Sequence, residues 1–262
     1  MTSQSVSAPG PRLSGKVAIV TGSGRNIGRA IALAMAREGA AVVINGHSDQ
    51  AAVDAVVAEI ERAGGRAIGI LADAANPLDV DRLVQATVDR FGAVDIAVSN
   101  VSVRRKQPFL DISVDDWRRT INVNLDSAFH VARSVLPHMK QAGFGRLIHI
   151  SGVDGFAAHL PERVPNTVCK AGVHALSKAL SLEFAPFGIT ANTVAPGYID
   201  TERDWSQYGA REQWIASRQQ HLPVRRVGRV EDIAQACVYL AADSGSFITG
   251  QVLHVNGGQF MF

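Results

Sequence analysis

Closely spaced glycines follow an apolar run near the start of the chain and come directly before a helical pattern. Val17–Val20 form an unbroken apolar run, which is typical of a central parallel strand buried on both faces, and the helical pattern ends at Gly39. Backbone N–H groups left free at the positive start of a helix bind phosphate groups. The motif therefore predicts a pyrophosphate site in this turn. Its expected residues are Gly22, Gly24, Arg25, Asn26, Ile27 and Gly28.

The end of the second predicted strand indicates which dinucleotide such a site would take. An NAD-selective site usually has an aspartate or glutamate there, about 20 residues past the glycines, to hold the ribose 2′-hydroxyl. This chain has Asn45 at that point, followed by His47, so no carboxylate would repel a 2′-phosphate. Arg25 could pair with that phosphate, although it could also be a solvated turn residue. The sequence therefore favours NADP(H) over NAD(H), with Asn45 and His47 at the ribose.

Apolar strand-like runs alternate with amphipathic helical stretches along almost the whole chain. The predicted strands are Val17–Thr21, Ala41–Asn45, Ala67–Leu71, Ile96–Asn100, Leu147–Ser151, Thr190–Ala195 and Val252–Val255. The predicted helices span roughly residues 26–38, 49–63, 77–91, 113–139, 166–187 and 229–242. Strands separated by helices imply βαβ units in one parallel sheet. We predict an α/β fold with a single domain over residues 13–262 and a doubly wound parallel sheet of about seven strands flanked by helices. A disordered tail is expected over residues 1–12.

Residues 197–228 form a long connection, and a connection of this length often carries function, such as a lid over a ligand. Trp205, Tyr208 and Trp214 lie in this segment. They could cover a bulky or aromatic substrate, or they could pin the segment to the body of the protein. We take Tyr198, Trp205 and Tyr208 as the candidate substrate residues.

Composition narrows the class of protein. Among 262 residues, 47% are hydrophobic and 19% charged, and the net charge is +2, which argues against general binding to nucleic acid or to a membrane surface. Two cysteines are too few for a disulfide framework, and the N-terminal residues lack the apolar core of a secretory signal. We expect a soluble cytoplasmic protein and predict no metal site.

Several further motifs occur in a fixed order along the chain. They are Thr21-Gly22-x-x-x-Asn26-x-Gly28, Asp73 after the third strand, Asn122-Val-Asn124-Leu, Asn192-Thr-Val-Ala-Pro-Gly197-x-x-x-Thr201 and Ile248-Thr-Gly-x-x-Leu-His-Val-Asn-Gly-Gly258. From Gly15 onward the chain resembles the short-chain dehydrogenase/reductase family, particularly its 3-oxoacyl-(acyl-carrier-protein) reductase branch. The resemblance implies a Rossmann-type fold and an NADP(H)-dependent oxidoreductase that acts on a carbonyl or an alcohol.

The resemblance also implies roles for individual residues. Asp73 would contact the adenine amino group, Asn124 would be the catalytic asparagine, and Lys170 would bind the nicotinamide ribose hydroxyls. The remaining implied cofactor residues are Asn100, Pro196, Gly197, Ile199 and Thr201.

Two catalytic positions of the family pattern carry other residues here. The family's serine falls on Gly152, and its tyrosine falls on Asn166, four residues before Lys170. An asparagine can form hydrogen bonds but cannot donate a proton at neutral pH, and residues 151–170 contain no tyrosine. Asn26 also replaces a glycine of the turn, but asparagine tolerates the left-handed region. The resemblance therefore predicts an atypical catalytic site.

Other groups could replace the missing acid. Ser151 is one residue from the expected serine and would need a local bulge to face the site. His159, in the loop before the helix that carries Lys170, is a good acid near neutral pH, although loop histidines are often solvated. Glu162 lies in the same loop. Tyr198 could offer a phenol or form a wall of the pocket, and Asn124 with Lys170 could order a proton-relaying water.

Three functions are open on this basis. The leading one is an NADP(H)-dependent oxidoreductase with candidate catalytic residues Asn124, Ser151, His159, Asn166 and Lys170. The alternatives are a catalytically silent NADP(H)-binding protein and a lyase or isomerase with His159 or Glu162 as the base. The helices predicted at 113–139 and 166–187 match those through which family members pair. We therefore expect a homodimer or homotetramer that acts on a small molecule, without nucleic-acid or membrane partners.

Overall fold

The computed structural model describes residues 10–261, which form one α/β domain around a seven-stranded parallel sheet. The strands are β1 (Val17–Val20), β2 (Ala41–Gly46), β3 (Arg66–Leu71), β4 (Ile96–Ser99), β5 (Gly145–Ile150), β6 (Ile189–Pro196) and β7 (Val252–Val255). Their order is β3-β2-β1-β4-β5-β6-β7, so the connection reverses direction between β1 and β4. Each residue of β1 and β4 is buried, as expected for central strands covered on both faces. The predicted fold class is confirmed.

Helices cover both faces of the sheet. They are α1 (Asn26–Arg37), α2 (Gln50–Arg62), α3 (Pro77–Phe91), α4 (Val114–Ile121), α5 (Ser127–Ala142), α6 (Val164–Phe184), α7 (Arg211–Gln219) and α8 (Val230–Ala241). On one face, side chains of α1, α2 and α8 form a hydrophobic core with the sheet. On the other face, α3 and α5 form a second core, with α6 packed against its border. The carboxyl ends of the strands therefore open between two rigid layers, where ligands of such folds bind.

The structure corrects the single helix predicted over residues 113–139. It consists of α4, a π-helical turn at Asn122–Asp126, and α5. A π turn inserts an extra residue into the helix and is frequent at functional sites. Asn124 lies in this turn and is buried, so the wider turn displaces it from the position that a continuous helix would give it.

The segment 197–228 also contains a helix that the sequence pattern did not reveal. It includes a short 3-10 turn at Trp205–Gln207 and helix α7. Trp214 is the only buried residue of α7. The helix therefore has no apolar stripe with a period of 3.6 residues, which is the signal that would have predicted it.

The described residues begin inside the predicted N-terminal tail. Residues 1–9 of that tail lie outside the described range. Arg12 donates hydrogen bonds from its backbone N–H and its Nη2 to the carboxylate of Glu38, at 3.0 and 2.6 Å. The chain is thus attached to the end of α1 from Arg12 onward.

Two kinds of feature are absent from residues 10–261. No helix there is both long enough and apolar enough to cross a membrane. No three His, Cys, Asp or Glu side chains in this range group where they could hold a metal ion.

Candidate active site

The glycine turn between β1 and α1 has the backbone that the sequence predicted. Gly22 has φ +60° and Asn26 has φ +51°, both in the left-handed region. A Cβ on Gly28 would lie 2.7 Å from Asn100 Nδ2 and even closer to the carbonyl oxygen of Gly22. No side chain caps the start of α1, so its first N–H groups point out of the turn without a partner from a capping residue. A phosphate group fits this environment.

Two asparagine side chains, the buried Asn45 and the partly buried Asn100, hold the turn in place. Asn45 Oδ1 accepts from the Gly22 N–H at 3.2 Å, while its Nδ2 donates to the Ala72 carbonyl at 3.0 Å. Asn100 Nδ2 donates to the carbonyls of Thr21 and Gly22 at 3.0 and 3.1 Å. These amides are occupied by the backbone, so they shape the turn from within the protein.

The outer side of the turn is basic and exposed. Arg25 lies in a cleft that is also lined by Gly24, Asn26, Thr201 and Trp205. Asn26 exchanges hydrogen bonds with the backbone of Glu202, at 2.8 and 3.2 Å. The turn is therefore tied to the chain that follows β6.

The predicted adenine end lies past β2 and β3. His47 Nε2 and Asp73 Oδ2 are 3.9 Å apart; the His47 side chain is largely exposed and the Asp73 side chain is partly exposed. Asp73 Oδ1 accepts from the Ala75 N–H at 2.9 Å, which shapes the loop before α3. The two side chains that the sequence assigned to this end are thus neighbours in space.

A cavity of about 160 Å³ lies beyond the carboxyl ends of β5 and β6. It brings together candidate residues from several segments. These are Ile27, Ser151, His159, Asn166, Lys170, Pro196, Gly197, Tyr198, Ile199, Thr201 and Tyr208. Trp205 instead lines the neighbouring cleft, which shares Thr201 with this cavity. Glu162 lines a separate small cavity with Arg105 and Asp116.

A chain of hydrogen bonds runs from Asn124 to the cavity. The Asn124 side chain accepts from the Val103 N–H at 2.7 Å and donates to the Val103 carbonyl at 2.9 Å. Its Nδ2 is 3.4 Å from Asn166 Oδ1, and Asn166 Nδ2 donates to Asp154 Oδ2 at 3.0 Å. The amide of Asn166 therefore links the π turn to a carboxylate at the cavity.

The same carboxylate faces an imidazole. Asp154 Oδ1 lies 3.1 Å from His159 Nδ1, and His159 Nε2 lies 3.4 Å from Gln259 Nε2. His159 and Gln259 both line the cavity. The sequence reasoning singled out neither Asp154 nor Gln259. The available signal for Asp154 was an acidic residue five positions before His159 in the loop after β5.

Lys170 and Ser151 are both buried at the base of the cavity. Lys170 Nζ donates to the Ile150 carbonyl at 2.9 Å. Burial, followed by the positive charge of Arg104, lowers the pKa of Lys170 to about 8. Ser151 Oγ is 2.6 Å from His174 Nε2 and 3.3 Å from the Lys170 carbonyl, so its hydroxyl is engaged with α6. Burial lowers the pKa of His174 to about 4.

Aromatic side chains in segment 197–228 pack on one another. Trp214, Leu222 and Val227 form a small buried core, and Tyr198, Trp205 and Tyr208 pack against it. The guanidinium of Arg203 lies 4.2 Å from the Trp214 ring centroid. Tyr198 and Tyr208 also line the cavity, so these two belong both to the packing of the segment and to the pocket wall.

Basic residues form a second group that the sequence reasoning missed. Arg104, Lys106, Arg163, Arg203 and Arg218 line the same cavity as Lys170. The available signal was the run Arg104-Arg105-Lys106 just after β4, because segments beyond strand ends form the ligand site in this fold.

Comparison with known proteins covers almost the whole chain. A model of the family described as enoyl-(acyl carrier protein) reductase matches residues 22–259. The 3-oxoacyl-(acyl-carrier-protein) reductase of Synechocystis sp. is 38% identical over 251 residues, which cover 95% of this chain and 99% of that protein. The (2S)-((R)-hydroxy(phenyl)methyl)succinyl-CoA dehydrogenase subunit BbsD of Thauera aromatica is 39% identical over 248 residues, which cover 94% of this chain and 97% of that protein.

A solved structure shows the same architecture. The crystal structure of a gluconate 5-dehydrogenase from Burkholderia cenocepacia, in complex with NADP and tartrate, superposes with a TM-score of 0.87. The two sequences are 33% identical, and the match covers 95% of this chain and 96% of that one.

Proposed function

The chain belongs to the short-chain dehydrogenase/reductase family, and we propose that it is an NADP(H)-dependent oxidoreductase acting on a carbonyl or an alcohol through an atypical catalytic site. One observation carries the proposal. Lys170, the Asn124–Asn166 pair and a carboxylate–imidazole pair meet at one cavity beyond the strand ends. The cavity therefore offers both groups that hold a cofactor and a group that can exchange a proton.

The cofactor part of the proposal rests on the glycine turn. Gly28 leaves no room for a side chain, and Gly22 has a left-handed φ of +60°, at the point where the uncapped start of α1 would meet a pyrophosphate. Arg25 is exposed beside this turn and would pair with a 2′-phosphate. Asp73 would lie at the adenine and Lys170 at the nicotinamide ribose. When bound, NADP(H) would supply or accept the hydride.

His159 would exchange the proton that the reaction needs. Asp154 Oδ1 lies 3.1 Å from Nδ1 of the imidazole and holds the ring in place. In the direction of reduction, the imidazolium would give its Nε2 proton to the substrate oxygen. Asn166 holds Asp154 from the other side. The fixed amide of Asn124 in turn orients Asn166.

Turnover with a panel of ketones and aldehydes tests the activity. We expect NADPH oxidation by the wild-type protein, with a large loss in both His159→Gln and Lys170→Ala. His221→Gln is the matched control and should keep kcat, because His221 is an exposed loop histidine that does not line the cavity. Tight NADPH binding without turnover of any carbonyl or alcohol would contradict the proposal.

Fluorescence titration with NADPH and NADH tests the cofactor preference. We expect NADPH to bind more tightly, and Arg25→Gln to weaken NADPH about tenfold, the loss of one charge-assisted contact, with little effect on NADH. Clearly tighter binding of NADH would overturn the preference.

A catalytically silent NADP(H)-binding protein is the second candidate. It is favoured by Gly152 and Asn166, which stand where the family pattern has serine and tyrosine. A Cβ on Gly152 would meet nothing closer than the Pro196 carbonyl oxygen at 3.9 Å, so a serine fits there. If reductase activity appears only in Gly152→Ser with Asn166→Tyr, the natural protein is silent. A lyase or isomerase would have to use His159 as its base, because Glu162 faces a different cavity.

We also propose that the protein forms a homodimer or homotetramer. Leu182 on α6 is 83% exposed, and Phe129 on α5 and Met261 near the C-terminus also expose apolar surface. Phe260 instead stacks on Phe156. Light scattering should give a species larger than the 27.9 kDa protomer. A monomer at working concentration would contradict this.

We place the protein in the cytoplasm because Cys169 and Cys237 are both free and buried. Burial raises the pKa of the Cys169 thiol to about 11, which keeps it unreactive.

A further inference from the structure

The cavity beyond β5 and β6 is lined by an excess of positive charge. Asp154 is its only lining carboxylate among the described residues, and it is already occupied by Asn166 and His159. The lining cations are Arg104, Lys106, Arg163, Lys170, Arg203 and Arg218. Such a lining selects for a negatively charged ligand.

Arg163 makes this charge costly in the absence of a ligand. Only 8% of the residue is exposed, and its buried Nε has no hydrogen-bond partner within the described part of the chain. The Nε of Arg218 is likewise buried and has no hydrogen-bond partner within the described part of the chain. A buried N–H group without an acceptor is destabilising unless something supplies the missing acceptor.

The cavity arginines differ from arginines elsewhere in the molecule. Arg12, Arg29, Arg211 and Arg226 each form an ion pair with a carboxylate. Within residues 10–261, none of the cavity cations forms such a pair. Exposed arginines elsewhere in this range, such as Arg25 and Arg119, also lack such a pair, so what distinguishes the cavity is that six cations share one lining carboxylate.

The cations are also close enough to act on one another. Arg104 keeps part of its surface exposed, but desolvation, followed by the charge of Arg163, lowers the pKa of its guanidinium. Arg104 in turn contributes, after burial, to the lowered pKa values of Lys170 and Arg203. Like charges held together in this way attract a common anion that interacts with several of them at once.

We propose that the substrate carries a carboxylate a few bonds away from its reacting carbonyl or hydroxyl group, and that Arg163 and Arg104 bind this carboxylate. The inference rests on the oxidoreductase function proposed above and names its substrate class. A planar guanidinium matches a carboxylate through two parallel hydrogen bonds.

Calorimetry on the NADP-saturated protein tests the anion site without turnover. Succinate is the probe, succinamide is its neutral counterpart of similar shape, and inorganic phosphate is the competing anion. We expect succinate to bind at least about tenfold more tightly than succinamide, the effect of one charge-assisted contact. Equal binding of the two, or tighter binding of phosphate, would overturn the carboxylate assignment.

Variants then locate the site. Arg104→Gln changes an exposed residue and should weaken succinate about tenfold. Arg163→Gln should weaken it at least as much, and Arg163→Lys should restore part of the affinity even if the buried position lowers stability. Arg82→Gln on α3, which is exposed and lies outside the cavity, is the matched control and should leave the affinity unchanged. Unchanged affinity in both Arg104→Gln and Arg163→Gln would overturn the proposal.

A turnover comparison separates this inference from the proposed activity. Levulinate and its methyl ester have the same ketone and differ in the negative charge. We expect kcat/KM to be at least about tenfold higher for levulinate, and Arg104→Gln to remove this preference. Equal rates for the two ketones would overturn the inference and leave the oxidoreductase standing. Succinate binding without turnover of either would leave the anion site and overturn the activity.

Discussion

The two halves of the carboxyl edge of the sheet use their polar side chains differently. Around β1 and β2, the amides of Asn45 and Asn100 bind backbone groups of the glycine turn. Around β5 and β6, polar side chains bind one another, as in the link from Asn166 through Asp154 to His159. The first half therefore has its shape fixed by the backbone, and the second depends on contacts among side chains.

Charge follows this division only in part, because Arg25 beside the glycine turn is exposed and forms no ion pair among the described residues. In the glycine half, Arg29 on α1 forms an ion pair with Glu59 on the neighbouring helix α2. In the other half, Arg104 and Arg163 stand close together without a carboxylate partner among the described residues. A site formed by the backbone suits a chemical group that is the same in every reaction, such as the pyrophosphate of the cofactor. In the other half, a few charged side chains without partners determine which second ligand binds.

The largest expected effect lies in the second half and concerns turnover. Asp154→Asn removes the carboxylate that faces His159 Nδ1 and accepts from Asn166. We expect kcat with a ketone to fall about 10²–10⁴-fold, the range for loss of a positioned acid, while NADPH affinity is kept. Steady-state kinetics and a fluorescence titration measure the two. The exposed Asp115→Asn on α4 is the control, and an equal loss there, or a matching loss of NADPH affinity, would count against the division.

The next effect lies in the glycine half and concerns stability. Gly28→Ala places a Cβ 2.7 Å from Asn100 Nδ2, and this overpacking should lower the free energy of unfolding by about 1–3 kcal/mol. Gly24→Ala is the matched control, since its Cβ would meet Ala52 Cβ at an ordinary 3.4 Å. Urea unfolding should show no loss for that variant. Equal losses in both would mean that the turn does not depend on the close approach at Gly28.

A pH effect should be confined to the second half. His149 on β5 is buried without a partner for either ring nitrogen among the described residues, and burial lowers its pKa to about 4. Below its unfolded pKa of about 6.5, the unfolded chain takes up a proton that the folded chain does not. Stability contributed by neutral His149 is therefore complete above about pH 6.5 and is lost as the pH falls towards 4.

The loss for one such histidine is about 2 kcal/mol between about pH 7.5 and pH 5. Urea unfolding at the two values should show a smaller drop for His149→Leu than for the wild type. His221→Leu, at an exposed position, should keep the full drop. A full drop in stability for His149→Leu as well would contradict the assignment of this pH effect to His149.

The smallest effect tests the contact that joins the two halves. Asn26→Ala loses both hydrogen bonds to Glu202 and keeps a left-handed φ, so it should cost about 1–2 kcal/mol. Asn26→Gly loses the same bonds but relieves the backbone, and should cost less. Thermal unfolding ranks the two. A larger loss in the glycine variant would show that the side chain does more than bridge to Glu202.

The amino-acid sequence determined the frame of this protein. Each buried strand could be predicted because its apolar residues are consecutive. The glycine turn could be predicted because its backbone conformation depends on neighbouring residues only. The left-handed conformation at Asn26 followed from the chemistry of asparagine alone. The boundaries of α7 could not be predicted, because a single buried residue, Trp214, does not define a hydrophobic period along the sequence.

Only the tertiary structure decided which side chains share the reactive cavity. Asn124 meets Asn166 across 42 positions of the chain, and His159 meets Gln259 across 100 positions. Arg104 and Arg163 come from different loops and have no pattern in common. Such contacts depend on where strand ends converge, which local preference does not encode. The fold could therefore be predicted from local sequence patterns. The pairing of the imidazole with a carboxylate and the clustering of the guanidinium groups could be recognised only from the tertiary structure.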